Sequence, residues 1–195
     1  MHGKILREAC ADCDRDRSLR CEPSLGAAAA IVRAFGEVDR ASASQAVRQA
    51  RQERYGGRGS ALRGDEPADN VAEAKVLREI GIGTIAIMPN NTDTYREDSF
   101  DKMKAFAAKN GFTFPYVIDE TQEVARSYGA QCTPDFFGFN AQDELQYRGR
   151  LDASRTTLVP NARRDLFEAM KQVAETGHGP EDQTPSMGCS IKWKD

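Results

Sequence analysis

The chain reads Cys132-Thr133-Pro134-Asp135-Phe136-Phe137-Gly138-Phe139, and after a short polar loop it continues as Leu145-Gln146-Tyr147-Arg148-Gly149-Arg150. Proline has no N–H to donate to a β-ladder, so it is restricted to the starts and edges of strands. The bond before proline is also the one at which a cis peptide costs least. The stretch therefore predicts a strand opened by Pro134, a loop, and a second strand that returns antiparallel to the first.

Two strand–helix repeats precede this hairpin. Helices are predicted over 71–80, from Asp98 or Ser99 to 110, over 120–128 and over 163–175, with apolar residues at helical spacing, and strands are predicted over 84–88 and 114–118. Consecutive strand–helix–strand units give parallel pairs through right-handed crossovers, whereas the hairpin adds an antiparallel pair. The sequence therefore predicts an α/β fold with a mixed sheet flanked by helices, followed by a polar tail over 177–195.

Composition narrows the class of protein. The chain has 195 residues and a net charge of −3, which favours neither nucleic acid nor an anionic membrane as a partner. It contains no apolar run near the roughly 18 residues of a membrane span, and its first residues lack the apolar core of a signal peptide. The expected location is therefore the cytoplasm, where five cysteines indicate thiol or redox chemistry rather than a disulfide framework.

The first 67 residues differ from the rest of the chain. They are rich in Arg, Ala and Gly, and their only aromatic residues are Phe35 and Tyr55. Such a segment buries too little apolar surface to offset the entropy lost on ordering, so 1–67 is predicted to be poorly structured, with short helices at most over 27–35 and 44–54. Translation of a GC-rich gene in the wrong reading frame would give such a sequence. A natural disordered extension is the alternative. We place the domain boundary near residue 68.

Several separated motifs in residues 68–195 carry a family resemblance. They are the Thr-Pro-Asp-Phe-Phe loop at 133–137, Tyr-Arg-Gly-Arg-Leu-Asp at 147–152 and the ending Pro-Ser-Met-Gly-Cys-Ser-Ile-Lys-Trp-Lys at 185–194. In these the chain resembles the alkyl hydroperoxide reductase/thiol-specific antioxidant (AhpC/TSA, peroxiredoxin-like) branch of thioredoxin-like proteins. The resemblance implies a three-layer thioredoxin-like fold whose N-terminal strands are missing or replaced here, and a cis-proline loop that faces a reactive cysteine. It also implies thiol-dependent oxidoreductase activity against peroxides or disulfides, with no cofactor and no metal.

One part of the family pattern is absent. Relatives carry Cys-x-x-Cys-Pro at the start of the helix that corresponds to 71–80, because a helix N-terminus lowers the pKa of a thiol and the thiolate is the nucleophile. The second cysteine then resolves the mixed disulfide. Counting back places the two positions near Arg58 and Ala61, and no cysteine occurs between Cys21 and Cys132. The oxidoreductase activity is therefore expected to be impaired.

The five cysteines leave several assignments open. Cys10 and Cys13 have dithiol spacing but no preceding strand, and with Cys21 and His2 they form a weak zinc-like set. Cys189 lies in the polar tail. Cys132 lies directly before Thr133 and Pro134, so these three residues are the predicted catalytic group, although a buried cysteine also serves as a small apolar residue.

Three functions follow from this pattern. The first is a thiol-dependent oxidoreductase by descent, impaired by the missing cysteine pair, with a thiol or disulfide protein as partner. The second is a non-catalytic module that holds an extended peptide at the proline loop. The third is a truncated, inactive product with an exposed sheet edge. Arg148, Arg150 and Arg155 would grip an anionic substrate, or else are solvated charges at strand ends.

Overall fold

The computed structural model describes residues 67–154, 159 and 161–195, together with the backbone of 29–34. In chain order the helices are α1 (Pro67–Glu79), α2 (Phe100–Lys109), α3 (Glu123–Ser127) and α4 (Asp165–Thr176), with a 3-10 turn at Arg96–Asp98. The strands are β1 (Ala29–Ala34), β2 (Ile82–Met88), β3 (Tyr116–Ile118), β4 (Cys132–Thr133), β5 (Phe136–Phe139), β6 (Leu145–Gly149) and β7 (Cys189–Ser190).

Five strands form one mixed sheet in the order β3-β2-β1-β5-β6. Strands β2 and β3 are parallel and are joined through α2, whereas β5 and β6 form the antiparallel hairpin. Both pairings were predicted from the order of elements, and both are confirmed. Strands β4 and β7 form a separate two-stranded ladder beside the start of the hairpin.

The central strand of the sheet corrects one prediction. Residues 27–35 were expected to be at most a short helix, but Ala29–Ala34 is a strand that pairs with β2 on one side and β5 on the other. Ile31 and Val32 are β-branched, and two neighbouring strands satisfy the backbone, so tertiary pairing overrides the helix preference of the alanines. The centre of the sheet is therefore filled, and the N-terminal strands are replaced rather than missing. The predicted helix over 44–54 lies outside the described residues.

The direction of β1 bears on the site. Ala29 pairs with Ile87 near the carboxyl end of β2, and Ala34 pairs with Ile82 at its amino end, so β1 runs antiparallel to β2. A right-handed crossover through α1 would require β1 and β2 to be parallel. Strand β1 therefore finishes at the end of the sheet where β2 and β3 begin, and not at the end where β2 and β3 finish.

The main core lies between the sheet and the helices α1 and α4. It is built from the apolar stripe of α4, which the sequence predicts, and from side chains of α1, β2, β5 and β6. Its members exposed by 2% or less include Leu77, Ile80, Ile82, Phe167, Met170 and Tyr147. A smaller cluster of Ala125, Ala130, Phe137 and Ile191 lies near α3. Ile191 belongs to the tail, so the tail is anchored in a buried cluster. None of the helices in the described ranges is long and apolar enough to cross a bilayer.

Candidate functional site: the proline loop and the C-terminal tail

The predicted group of Cys132, Thr133 and Pro134 lies just before the hairpin: the first two residues form β4, and Pro134 follows them. The Thr133–Pro134 peptide is cis. Cys132 is only 2% exposed and Thr133 only 3% exposed. The thiol of Cys132 donates a hydrogen bond to the Pro134 carbonyl over 3.5 Å. The structure thus brings the three residues together, but it buries the thiol that would have to act as nucleophile.

The C-terminal tail, residues 177–195, covers this group. Its strand β7 pairs antiparallel with β4, so that Ser190 lies opposite Cys132 and Cys189 lies opposite Thr133. The Thr133 hydroxyl also donates to the Cys189 carbonyl over 3.4 Å. The main-chain edge of the proline loop is therefore occupied by the chain's own tail.

The register of this ladder separates the two cysteines. Opposite residues of a β-ladder share a face, and adjacent residues of a strand point to opposite faces. Because Cys132 is opposite Ser190, the neighbouring Cys189 projects to the other face of the ladder. The ladder therefore does not align the two thiols for a disulfide.

An ion pair between the buried Asp135 and the partly buried Arg148 lies next to the proline loop. Asp135 is 3% exposed, and its carboxylate accepts hydrogen bonds from the Gln131 N–H and from Arg148 Nη2, each over 3.2 Å. Burial raises the pKa of Asp135, while the positive charge of Arg148 and the Gln131 hydrogen bond oppose that rise. Arg148 also donates to the Gly129 carbonyl over 2.5 Å and lies 5.0 Å from the ring centroid of Phe137. Arg148 is thus committed to the scaffold of the loop.

The other arginines proposed to grip an anion do not form a common cluster with it. Arg150 Nε lies 2.7 Å from a carboxylate oxygen of Asp165 at the start of α4. Arg155 lies outside the described residues. Because both described arginines already contact carboxylates, the reading of Arg148 and Arg150 as an anion grip loses its support.

A second set of polar side chains holds the far end of the tail at the carboxyl end of β2. The Asn90 side chain accepts from the Lys192 N–H over 3.0 Å, and the Asn91 N–H donates to the Lys192 carbonyl over 2.7 Å. The amide of Asn90 also donates to Asp98 over 2.9 Å. Burial raises the pKa of Asp98, an effect that this hydrogen bond opposes. The loop that follows β2 therefore binds the tail.

Gln122 is a residue of this site that sequence reasoning missed. It is 1% exposed and adopts a positive φ of 61° immediately before α3. Its amide nitrogen donates to the carbonyls of Pro89 and Lys192 over 2.6 and 2.8 Å, and its amide oxygen accepts from the Lys194 N–H over 2.7 Å. Gln122 therefore clamps the tail to the loop that follows β2.

The cysteine pair expected at the start of α1 has no counterpart in the described part of the chain. The positions Arg58 and Ala61, and the assignments to His2, Cys10, Cys13 and Cys21, all lie outside the described residues. Among the residues that are described, no group of three or more His, Cys, Asp or Glu side chains is placed to hold a metal ion. The described site therefore consists of the proline loop, its supporting ion pair and the tail.

Similarity to known proteins identifies the family of this chain. The family model "Redoxin" matches residues 68–166, which is more than half of the chain. The chain belongs to the Redoxin family. An uncharacterized conserved protein from Geobacillus kaustophilus is 34% identical, with a TM-score of 0.63 over 87% of this chain and 78% of that one. A hypothetical protein from Sinorhizobium meliloti 1021 is 26% identical, with a TM-score of 0.57 over 89% of this chain and 83% of that one. No curated protein matches.

Membership of the Redoxin family confirms the resemblance to AhpC/TSA proteins and the thioredoxin-like fold. The match begins at residue 68, next to the start of α1 at Pro67. Neither structural relative has a stated activity, so neither tests the roles assigned to Cys132, Thr133 and Pro134. Those roles stay predictions.

Proposed function

We propose that this Redoxin-family protein is a thiol-dependent oxidoreductase by descent whose peroxide- and disulfide-reducing activity is impaired in the present chain. The observation that carries the proposal is the covered thiol: Cys132, the cysteine next to the cis-proline, is 2% exposed beneath the β7 strand. Disulfide exchange and peroxide reduction both require a thiolate that can reach its target. A thiol that is 2% exposed meets neither requirement.

The sequence supports the same conclusion. No cysteine lies between Cys21 and Cys132, so α1 and the residues just before it supply no nucleophile from a helix N-terminus. The antiparallel direction of β1 adds to this, because β1 ends at Ala34 beside Ile82, at the amino end of β2, whereas open α/β sheets place their sites at the carboxyl ends of strands. A thiol or disulfide protein is the partner we propose; it would reach the loop at Pro134 only when β7 leaves β4.

Turnover assays test the proposal. We expect the full-length protein, supplied with dithiothreitol, to reduce hydrogen peroxide and the disulfides of insulin at the rate of dithiothreitol alone. We also expect Cys132→Ser to be indistinguishable from wild type, since a buried thiol contributes no nucleophile. Both assays use one protein preparation, with thermal melting of each variant as the control for folding.

Two results would contradict the impaired assignment. Turnover well above the thiol background that disappears in Cys132→Ser would make Cys132 an active nucleophile. Turnover that survives Cys132→Ser but disappears when Cys10, Cys13 and Cys21 are all replaced by serine would place the activity in the N-terminal segment.

A further inference from the structure

The C-terminal tail passes very close to the main chain of β4 and β6 at two glycines. At Gly179 an added Cβ would lie 1.9 Å from the Gln146 carbonyl oxygen of β6. At Gly188 it would lie 2.2 Å from the Thr133 carbonyl oxygen and 3.1 Å from the Pro134 nitrogen. Real Cβ atoms do not approach other atoms so closely, so the tail lies against the backbone of the hairpin only because these two residues are glycines.

Between these two glycines, side chains tie the tail to β6. The Gln183 side chain accepts from the Arg148 N–H over 2.8 Å and donates to the Gln146 carbonyl over 2.9 Å. The Ser186 hydroxyl donates to the Gly149 carbonyl over 2.5 Å. Most of residues 181–188 nevertheless remain exposed or half-buried, and the first fully buried tail side chain is Ile191 at 4% exposure. The ladder at 189–190 is thus a short pairing next to a strong anchor.

Addition of an extended segment to a free strand edge is a general mode of peptide recognition, in which main-chain hydrogen bonds give affinity and alternate side chains give specificity. We propose that residues 188–191 act as a built-in ligand of the β4 edge, which excludes an external extended peptide from the proline loop. The edge selects a segment with glycine opposite the Thr133 carbonyl, followed by two small residues and an apolar residue that reaches the Ala125–Ala130–Phe137 cluster. The inference rests on the proposed function only in that it concerns the same loop.

The proposal predicts that opening the ladder makes the edge available to a second copy of the same segment. The probe is a fluorescently labelled synthetic peptide of residues 184–195 that carries Cys189→Ser, so that thiol exchange adds nothing to the signal. Its binding to the full-length protein is measured by fluorescence anisotropy. Full-length Gly188→Ala is expected to bind the peptide saturably, because its own tail cannot close against Thr133. Wild type is expected to bind the peptide at least tenfold more weakly.

Matched controls separate this mechanism from general loosening. Gly111 has a positive φ and no atom within 4 Å of an added Cβ, so Gly111→Asn should behave like wild type. A probe that itself carries Gly188→Ala should bind the Gly188→Ala protein at least tenfold more weakly than the unmodified probe. Hydrogen exchange at residues 132–133 and 188–190 reports directly whether the ladder has opened.

The outcomes are decisive in either direction. Equal binding of the probe by wild type and Gly188→Ala overturns the proposal, and so does an opened ladder in Gly188→Ala that still binds no probe. Unchanged hydrogen exchange in Gly188→Ala overturns it as well, because the close approach would then be unnecessary. If Gly188→Ala does not fold, Ile191→Ser opens the same ladder by removing its anchor and is held to the same outcomes. Binding is read without turnover, so failure of the oxidoreductase assignment leaves this test intact.

Discussion

Full-length Arg164→Ala should lose about 3–5 kcal/mol of unfolding free energy, the largest loss expected from any single substitution considered for this protein. Arg164 precedes α4, and its guanidinium makes three contacts of 2.6 to 3.2 Å with the two carboxylate oxygens of Glu73 on α1. The side chains of Arg164 and Glu73 are 15% and 3% exposed. Removal of the guanidinium leaves a carboxylate buried without its bidentate cation, which is far costlier than loss of an exposed ion pair.

Arg163 offers a matched control one residue away. It also contacts a carboxylate, Asp165 at 3.3 Å, but its side chain is 69% exposed. Arg163→Ala should therefore cost at most about 1 kcal/mol in the same urea unfolding measurement. A double variant with Glu73→Met and Arg164→Leu should recover much of the loss, because it removes both buried charges. A loss below about 1 kcal/mol in Arg164→Ala, or equal losses at the two arginines, would show that the pair is not buried as described.

Full-length Gln122→Ala should lose roughly 1–3 kcal/mol, because three backbone groups, one buried and two part-buried, each lose one hydrogen bond at once, although the Lys192 carbonyl keeps its bond from the Asn91 N–H. The three groups are the carbonyls of Pro89 and Lys192 and the N–H of Lys194, and two of them belong to the tail. The substitution should also raise hydrogen exchange across residues 189–194 more than in the helices. Urea unfolding and peptide-level hydrogen exchange measure the two effects on one preparation.

The positive φ of Gln122 supplies a second explanation that a matched variant removes. A left-handed backbone favours glycine, so Gln122→Gly relieves any backbone cost while still removing the amide. If the clamp is what matters, Gln122→Gly loses nearly as much stability as Gln122→Ala. Recovery of wild-type stability in Gln122→Gly would assign the effect to the backbone instead. Gln131→Ala serves as the exposed control, since Gln131 is exposed and its side chain donates to the nearby Gly129 carbonyl.

Most of the fold from residue 67 onward follows from sequence periodicity. The stripe Leu166, Phe167, Met170 and Val173 is buried as the helical spacing predicts, and Phe136 and Phe137 enter the core as the hairpin predicts. The glycines that follow the four helices, Gly81, Gly111, Gly129 and Gly177, have positive φ, the conformation that favours glycine after a helix. Local pattern is sufficient here because each element buries one regular face.

The parts that the sequence did not predict depend on contacts far apart in the chain. The strand at Ala29–Ala34 exists through pairing with β2 and β5, which no local pattern of alanines reports. The tail looked like polar linker because β7 is two residues long and its fit depends on Gly188 meeting Thr133, 55 positions away. Gln122 has the same character, since its partners lie 33 and 70 residues distant. The sequence shows the glycines in the tail, but only the pairing of β7 with β4 shows why Gly188 is needed.

The predicted catalytic group, Cys132, Thr133 and Pro134, was expected to face a reactive cysteine. In the structure it is covered by the C-terminal tail. The sequence correctly placed Cys132 beside the proline loop, but it gave no sign that the tail would cover that loop. This cover is the feature on which the proposed impairment and the built-in ligand both depend.

Native-state thiol labelling tests that cover most directly. The folded full-length protein and the same protein in denaturant are exposed to an uncharged alkylating reagent, and modification of Cys132 is followed by mass spectrometry of its peptide. We expect Cys132 to react on the order of 100-fold more slowly in the folded protein, because the thiol is reached only through local opening. Labelling of Cys132 in the folded protein as fast as in the denatured chain would contradict the account.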